Sequence, residues 1–314
     1  MKSTRRIVAI DSMNLLSRAY HGIPLAFDSE NRPNNAIRGW FNTWFLIRQQ
    51  LEPDQVIAVF DGGRDLERLK ALPEYKSNRS DRPAEYTEQV ETAYGLCGAM
   101  GILPYRRAGV EADDILYTLS QGVPKDCELL VFSNDKDLTQ CINQGCKLVK
   151  SALKDGRNSL ELWGETEVVK HFGVRPDQMA LYLALVGDSS DNIPGVAQIG
   201  PKTAAKLLAQ YPDLETLVQA PEMGGEGKWQ SLATSLEVTR AKLIPGFAWP
   251  PRVDESDIDF ELLVSMCRKR SLVRIAERLA LLLGASQREP AEGVPRLPAI
   301  AENLPKAKEP IALI

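Results

Sequence analysis

The sequence predicts an α/β layered domain followed by a helical region. Three observations lead there. Short β-branched runs at 7–10, 55–60 and 128–133 recur with helical patterns between them. Each run stops at carboxylates: Asp11, Asp61, and Asp135 with Asp137 just after Asn134. From about residue 171 strand signals fade and helical ones dominate. A chain of 314 residues is long enough for one large domain or two small ones with a proper core.

The start, Met1 to Arg6, is basic and leads straight into the first strand; the apolar stretch 7–10 is too short for a signal-peptide core. Between the first two strands, Ile37, Trp40, Phe41, Trp44 and Phe45 fall at i, i+3, i+4, i+7 and i+8. That spacing predicts one buried helix face, and core packing outweighs base stacking for such a stripe. Residues 62–100 open on Gly62-Gly63 and carry Arg64, Arg68, Lys70, Lys76, Arg79 and Arg82 without a strand pattern. Two readings stand there: a solvated helix-loop insertion, or a mobile basic element that grips phosphates. Residues 109–116 read as a loop entering a helix, with Glu111 and Asp114 on one face and Asp113 beside them. A helix over 175–186, a turn-rich segment 187–200, a helix opening at Pro201-Lys202 and a helical stretch over 259–283 follow. The expected organisation is an α/β core over 1–172 with its insertion at about 62–100, a helical region over 173–284, and a proline-rich disordered tail over 285–314.

Composition narrows the function. The apolar share of 44% and charged share of 25% are ordinary for a soluble globular protein. No apolar run approaches the ~20 residues of a membrane span. Five scattered cysteines, Cys97, Cys127, Cys141, Cys146 and Cys267, read as reduced thiols filling the core of a cytoplasmic protein. Only two histidines, His21 and His171, argue against a His-based zinc site or a Ser-His-Asp triad. No phosphate-binding loop of the ATPase type is present. The net charge of −4 disfavours nucleic acid unless many of the acids gather at one cation site.

Gathered acids are what the element ends suggest. If the strands are parallel, Asp11, Asp61, Asp135 and Asp137 share the sheet edge where α/β folds bind ligands. Glu111, Asp113 and Asp114 also suit a helix N-terminus, where negative charge gains ~0.3–1 kcal/mol. That effect does not cover Asp135 and Asp137, nor Asp188 and Asp191 in a Gly/Ser turn. Singly, each serves as a turn former or cap; together they repel unless cations lie between them. Hard oxygen donors select Mg²⁺ or Mn²⁺ over zinc, and this many acids suit two ions or more. Two ions roughly 4 Å apart favour phosphodiester hydrolysis. A second feature is residues 193–204, where Gly195 and Gly200 bracket a turn before a helix start with Lys202 and Thr203. Backbone N–H groups there suit a phosphate, with an ordinary helix-turn-helix connection as the alternative.

These motifs resemble, in order, those of the 5′-3′ exonuclease and flap endonuclease family, above all the 5′ nuclease domain of bacterial DNA polymerase I in a stand-alone form. The opening 11–21, the stretches 59–61 and 74–79, then 109–114, 133–138 and 187–196 carry the resemblance over roughly 5–284. It implies a PIN/flap-endonuclease-like core with a mostly parallel central sheet, a helical arch insertion, and a helix-three-turn-helix that binds duplex DNA through Gly195, Val196, Ile199, Gly200, Lys202 and Thr203. It implies one metal site from Asp61, Glu111 and Asp113 with Asp11 and Asp114, and a second from Asp135, Asp137, Asp188 and Asp191. It places Lys76 and Arg79 at the scissile phosphate, Arg18 and Tyr20 on the site's floor, and Tyr75 against a displaced base. The cofactors implied are Mg²⁺, or Mn²⁺ in its place, and K⁺ at the helix-three-turn-helix. The partner implied is DNA with a 5′ flap, overhang or nick; apart from the resemblance, the tail is expected to serve replication or repair proteins as a binding peptide, and the chain to be a monomer. The sequence departs from the family at Asn134, where Gly is frequent, and in its tail. The rival readings are a DNA-binding protein that does not cut and a PIN-like ribonuclease.

Overall fold

The computed structural model describes residues 4–78, 82–252 and 258–286. Its centre is a sheet of β1 (Arg5–Asp11), β2 (Gln55–Phe60), β3 (Ile102–Arg106), β4 (Cys127–Phe132), β5 (Cys146–Lys154) and β6 (Arg157–Trp163) in the order β3-β2-β1-β4-β5-β6. Neighbours pair in parallel except β5 with β6. The three carboxylate-ended strands are the adjacent β2, β1 and β4, so their C-terminal ends share one edge as expected. Parallel strands buried on both faces need apolar side chains at every position. Ile7 and Ala9 feed one core, and Val8 and Ile10 feed the other. The sequence reading missed β3, β5 and β6. Strand β3 lies at the sheet edge and contains Pro104, and the β5–β6 hairpin mixes polar and apolar residues without a clean period.

Helices α1 (Ser12–Gly22) and α2 (Asn35–Leu51) cover one face. The stripe Ile37, Trp40, Phe41, Trp44 and Phe45 is at most 1% exposed, so it is core. All five cysteines are buried and free. The insertion carries α3 (Leu66–Ala71) and α4 (Ala84–Leu96) and, among the described residues, no strand. Then come α5 (Ala112–Gln121), α6 (Glu165–Phe172), α7 (Met179–Val186), α8 (Pro201–Gln210), α9 (Leu214–Leu217), α10 (Glu226–Thr239), α11 (Phe260–Lys269) and α12 (Val273–Ser286). Among the described residues no helix is long and apolar enough to cross a membrane.

Two expectations need correction. The stretch expected as one helix over 175–186 is a 3₁₀ turn, Pro176–Gln178, followed by α7. The stretch expected over 259–283 is broken where Ser271 turns left-handed, at φ +56°. The two helices that result pack on the sheet face shared with α2: Phe260, Leu263 and Leu279 join Val8, Trp40 and Phe41 in one core. The buried Arg270 fixes them there. Its Nε lies 3.3 Å from Asp28 Oδ2, Nη2 donates to Pro33 O at 3.1 Å, and its carbonyl accepts from Asn34 Nδ2 at 2.7 Å. The α/β layers therefore close only with residues from beyond 259. The tail expected from 285 begins inside α12, and 287–314 lie outside the described residues.

The opposite face continues into the helical region without a seam, since Ile7, Leu129, Leu183, Leu207 and Leu236 belong to one core. Between α7 and α8 the backbone folds tightly on itself. Gly187 and Gly195 both have positive φ, and a Cβ on Gly195 would lie 2.5 Å from Gly187 N. Gly195→Ala combines left-handed strain with a backbone clash. It is expected to cost roughly 2–3 kcal/mol of stability, read as a lower urea midpoint; an unchanged midpoint would show that the turn tolerates a side chain.

Candidate metal and nucleic-acid site

The sheet edge is wired together by side chains. Asp11, at the end of β1, caps α1: its Oδ1 accepts from Asn14 N at 3.0 Å. Its Oδ2 accepts from Ser133 Oγ at 2.8 Å, and Ser133 Oγ accepts from Asp135 N at 3.0 Å. Asp135 Oδ1 accepts from Asp137 N at 3.0 Å. One hydrogen-bonded line thus joins the ends of β1 and β4. At the end of β2, Asp61 Oδ1 accepts from Ala112 N at 3.0 Å, which seats it on the start of α5, and its Oδ2 lies 3.0 Å from Arg82 Nη2.

Electrostatics mark the row. Burial first, then Asp135 and Asp61, push Asp11 up to about 7 against the Asn14 and Ser133 donors. Burial, with Asp11 and Asp135 behind it, raises Asp113 well above the carboxylate range. Burial, with Asp135 and Asp191 next, raises Asp137 to about 8. Asp188 goes the other way: burial would raise it, but Lys136 Nζ at 2.8 Å and the Ser190 donors hold it low. Asp137 Oδ1 is buried with no hydrogen-bond partner.

Among the described residues, no three His, Cys, Asp or Glu side chains already surround one metal-holding point. Positive charge facing the row comes from Lys76, Arg82 and Lys136. The donor set still fits hard divalent ions. It consists of carboxylates whose ionisation is opposed by one another, with one buried oxygen unpartnered, and all three cations sit on long adaptable stems.

The insertion leans into this row. Lys76 is left-handed at φ +56°, and its N–H donates to Asp191 O at 2.9 Å. Its Nζ donates to Glu111 Oε1 at 3.0 Å and lies 4.0 Å from Asp191 Oδ2. Asn78 Nδ2 donates to Ser189 O and Asn192 Nδ2 to Glu74 O, stitching the insertion to the turn after α7. Arg79 lies outside the described residues.

The other expected residues differ in what they touch. Tyr75 is buried among Leu72, Ile193 and Val238, with its OH on Glu111 Oε2 at 3.2 Å, so its ring has no face free for a base. Asp114 has both oxygens held by Arg68 and one of them also by Lys242 N. Tyr20 packs edge-on against Tyr86 and His21. Arg18 Nη1 donates to Ser151 Oγ, which Asn134 Oδ1 also holds, so it reaches the loop that carries Asp135. In the turn before α8, Val196 and Ile199 are core, while Gly200 and Lys202 are exposed. Gly195 is buried and Thr203 half-buried, so backbone and Lys202 form the accessible surface, with Gln198 and Lys206 beside them.

The sequence reading did not find Ser133, Lys136 or the structural part of Arg68. Lys136 sits between two acids and reads as solvated. Arg68 is one of several basic residues in a charged stretch, and nothing local separates the buried one from the rest.

Comparison with known proteins settles the family. The family described as "5′-3′ exonuclease, N-terminal resolvase-like domain" matches residues 6–173, and "5′-3′ exonuclease, C-terminal SAM fold" matches 174–244. The chain belongs to the 5′-3′ exonuclease family. It is 30% identical to a 5′-3′ exonuclease of Aquifex aeolicus over 216 residues, covering 68% of this chain and 73% of that one. It is 34% identical to DNA polymerase I of Bacillus subtilis over 221 residues, 70% of this chain. It spans about a quarter of the length of such polymerase relatives, 25% in that case. In fold it resembles the flap endonuclease of bacteriophage T5, solved as a pseudo-enzyme-product complex with DNA and metal ions, at TM-score 0.60 and 18% identity, covering 88% of this chain and 98% of that one.

The raised carboxylates have a consequence for pH. Asp11 and Asp137 hold protons more tightly folded than unfolded, so from about pH 4 up to about 8 the folded chain binds more protons. Stability then falls as pH rises through that window. The lowered Asp188 acts only below it. In chelator the melting temperature is expected to drop between pH 5 and 8, and Asp137→Asn to flatten the drop. A pH-independent wild-type melting temperature would contradict these shifts.

Proposed function

We propose that this chain is a structure-specific 5′ nuclease. It would act as a 5′-3′ exonuclease and flap endonuclease on DNA in replication or repair, by a two-metal mechanism with Mg²⁺. The observation that carries this reading is the row of mutually repelling carboxylates, Asp11, Asp113 and Asp137 with Asp135 among them, at one sheet edge beside Lys76. Family membership supports it.

Asp61, Glu111, Asp113 and Asp11 would hold one ion, and Asp135, Asp137, Asp188 and Asp191 the other. Divalent ions there supply charge neutralisation and an activated water. The remaining work falls to the chain. Lys76, already in reach of Glu111 and Asp191, turns its ammonium to a non-bridging phosphate oxygen as negative charge builds. Arg79, three residues on, would add a second cation. The exposed backbone around Gly200, with Lys202, holds a duplex phosphate at the α8 N-terminus, away from the reacting atoms. K⁺ at carbonyls of the 187–200 turn would stiffen that grip. Residues 62–100 form the arch over the 5′ strand, and the helical region takes the duplex.

A 5′-flap DNA and its RNA counterpart, each with Mg²⁺ and with chelator, test this directly. Mg²⁺-dependent cutting of the DNA flap is expected, giving 5′-phosphate ends. Tight binding without a product would favour a non-cutting binder, and preference for the RNA a ribonuclease. Asp61→Asn or Asp135→Asn is expected to lower the rate at least about a thousand-fold, the loss of several kcal/mol at the transition state. Lys76→Ala is expected to lose about 10²–10³-fold, the usual cost of one positioned charge donor. Wild-type rates in either carboxylate variant would defeat the assignment.

A further inference from the structure

Arg68, on α3 at the base of the insertion, is 3% exposed. Its Nη1 donates to Glu111 Oε2 at 2.7 Å and to Asp114 Oδ2 at 2.9 Å. Its Nη2 donates to Asp114 Oδ1 at 2.7 Å and to Arg240 O at 3.1 Å. Asp114 Oδ1 takes a further bond from Lys242 N at 2.8 Å. The two carboxylates are therefore treated differently. Both oxygens of Asp114 carry short charge-assisted bonds to a group that cannot give up its charge. Glu111 has only Oε2 engaged by Arg68 and Tyr75, and Oε1 is left facing Lys76.

The junction also has three structural arms. Arg68 belongs to the insertion, Asp114 to α5, and Arg240 and Lys242 to the segment leaving α10. Lys242 Nζ closes the ring on Asp65 Oδ2 at 3.0 Å, the residue that caps α3. Thr118 Oγ1 accepts from Ile244 N, holding that segment to α5. A shift of any arm would reach Glu111 through one guanidinium.

We propose that Arg68 is a positioning residue that aims Glu111 Oε1 into the carboxylate row, and that Asp114 anchors Arg68 instead of holding a divalent ion. The effect on cleavage rests on the nuclease reading above; the effect on ion binding does not. The planar fork is needed to meet two carboxylates and a carbonyl at once, so Lys is a poor substitute.

The test uses the full chain with Arg68→Lys, Asp114→Asn and both together. Bound Mn²⁺ is counted by electron paramagnetic resonance without DNA, and flap cleavage is followed against Mg²⁺ concentration. Both single variants are expected to bind as many Mn²⁺ ions as the wild type. Both are expected to cleave on the order of 10- to 100-fold more slowly, the effect of a misplaced group, and to need more Mg²⁺ for half-maximal rate. The double variant is expected to be no slower than the slower single. Loss of an Mn²⁺ ion in Asp114→Asn, or a wild-type rate in Arg68→Lys, overturns the proposal. Should Asp114→Asn fail to fold, Arg68→Lys decides by the same two readouts. If the wild type itself left the flap uncut, the nuclease reading would fail, while the Mn²⁺ count would still decide whether Asp114 is a ligand.

Discussion

Repulsion among carboxylates at one sheet edge is the constraint around which this chain is organised. Asp11, Asp113 and Asp137 are buried and crowded enough by neighbouring acids, Asp135 among them, to bind protons more tightly than free carboxylates. Such an arrangement survives only if something else fixes the backbone beneath it. The fixing comes from neutral donors and from cations delivered by other parts of the chain. Ser133 ties Asp11 to the Asp135 loop, Ala112 N seats Asp61, and Lys76, Arg82 and Lys136 supply the charge.

Those cations come from separate places, and that explains the layout of the rest. Lys76 and Arg82 lie in the insertion, and Lys136 reaches Asp188 in the turn after α7. The insertion is therefore not a free solvated loop at its base. Lys76 N, Asn78 and Asn192 bind it to that turn, and Arg68 binds it to α5. Breaking a buried ion pair by removing one partner costs about 3–5 kcal/mol, so the carboxylate row and the fold around it are mutually dependent. Closure of the sheet's other face by α11 and α12 serves the same end at a distance, since that pair shares one core with α1, which Asp11 caps, and with the aromatic stripe of α2.

Much of this was legible because it is local. Parallel strands buried on both sides must be continuous apolar runs, so β1, β2 and β4 stood out, and the acids that end them followed at once. The i, i+3, i+4 stripe of α2 identified its buried face for the same reason. What was hidden is what depends on partners distant in sequence. The hairpin β5–β6 is half-exposed and has no clean period. Helices α11 and α12 carry an ordinary amphipathic pattern, and no residue in them states which core they join. Tyr75 is expected against a displaced base and Arg68 among the basic residues of the insertion, yet both are buried beside Glu111.

Glu111 shows why residue type and spacing alone could not sort the acids. Glu111, the N-cap of α5, and Asp114 in its first turn are equally buried, at 5% and 4% exposed. Sequence treats them as a pair. The structure separates them by a single guanidinium, which saturates one and leaves the other an oxygen on the side of the row. A carboxylate already matched by a permanent charge gains little from a divalent ion, whereas one matched by a lysine on a flexible stem can exchange partners as an ion or a phosphate arrives. The useful distinction among the acids of this edge is thus the mobility of the cation each one faces. By that measure the carboxylate oxygens facing Lys76 and Lys136, Glu111 Oε1 and those of Asp188, are the freer to change partners, and Asp114, held on both oxygens by Arg68, is the more tightly fixed.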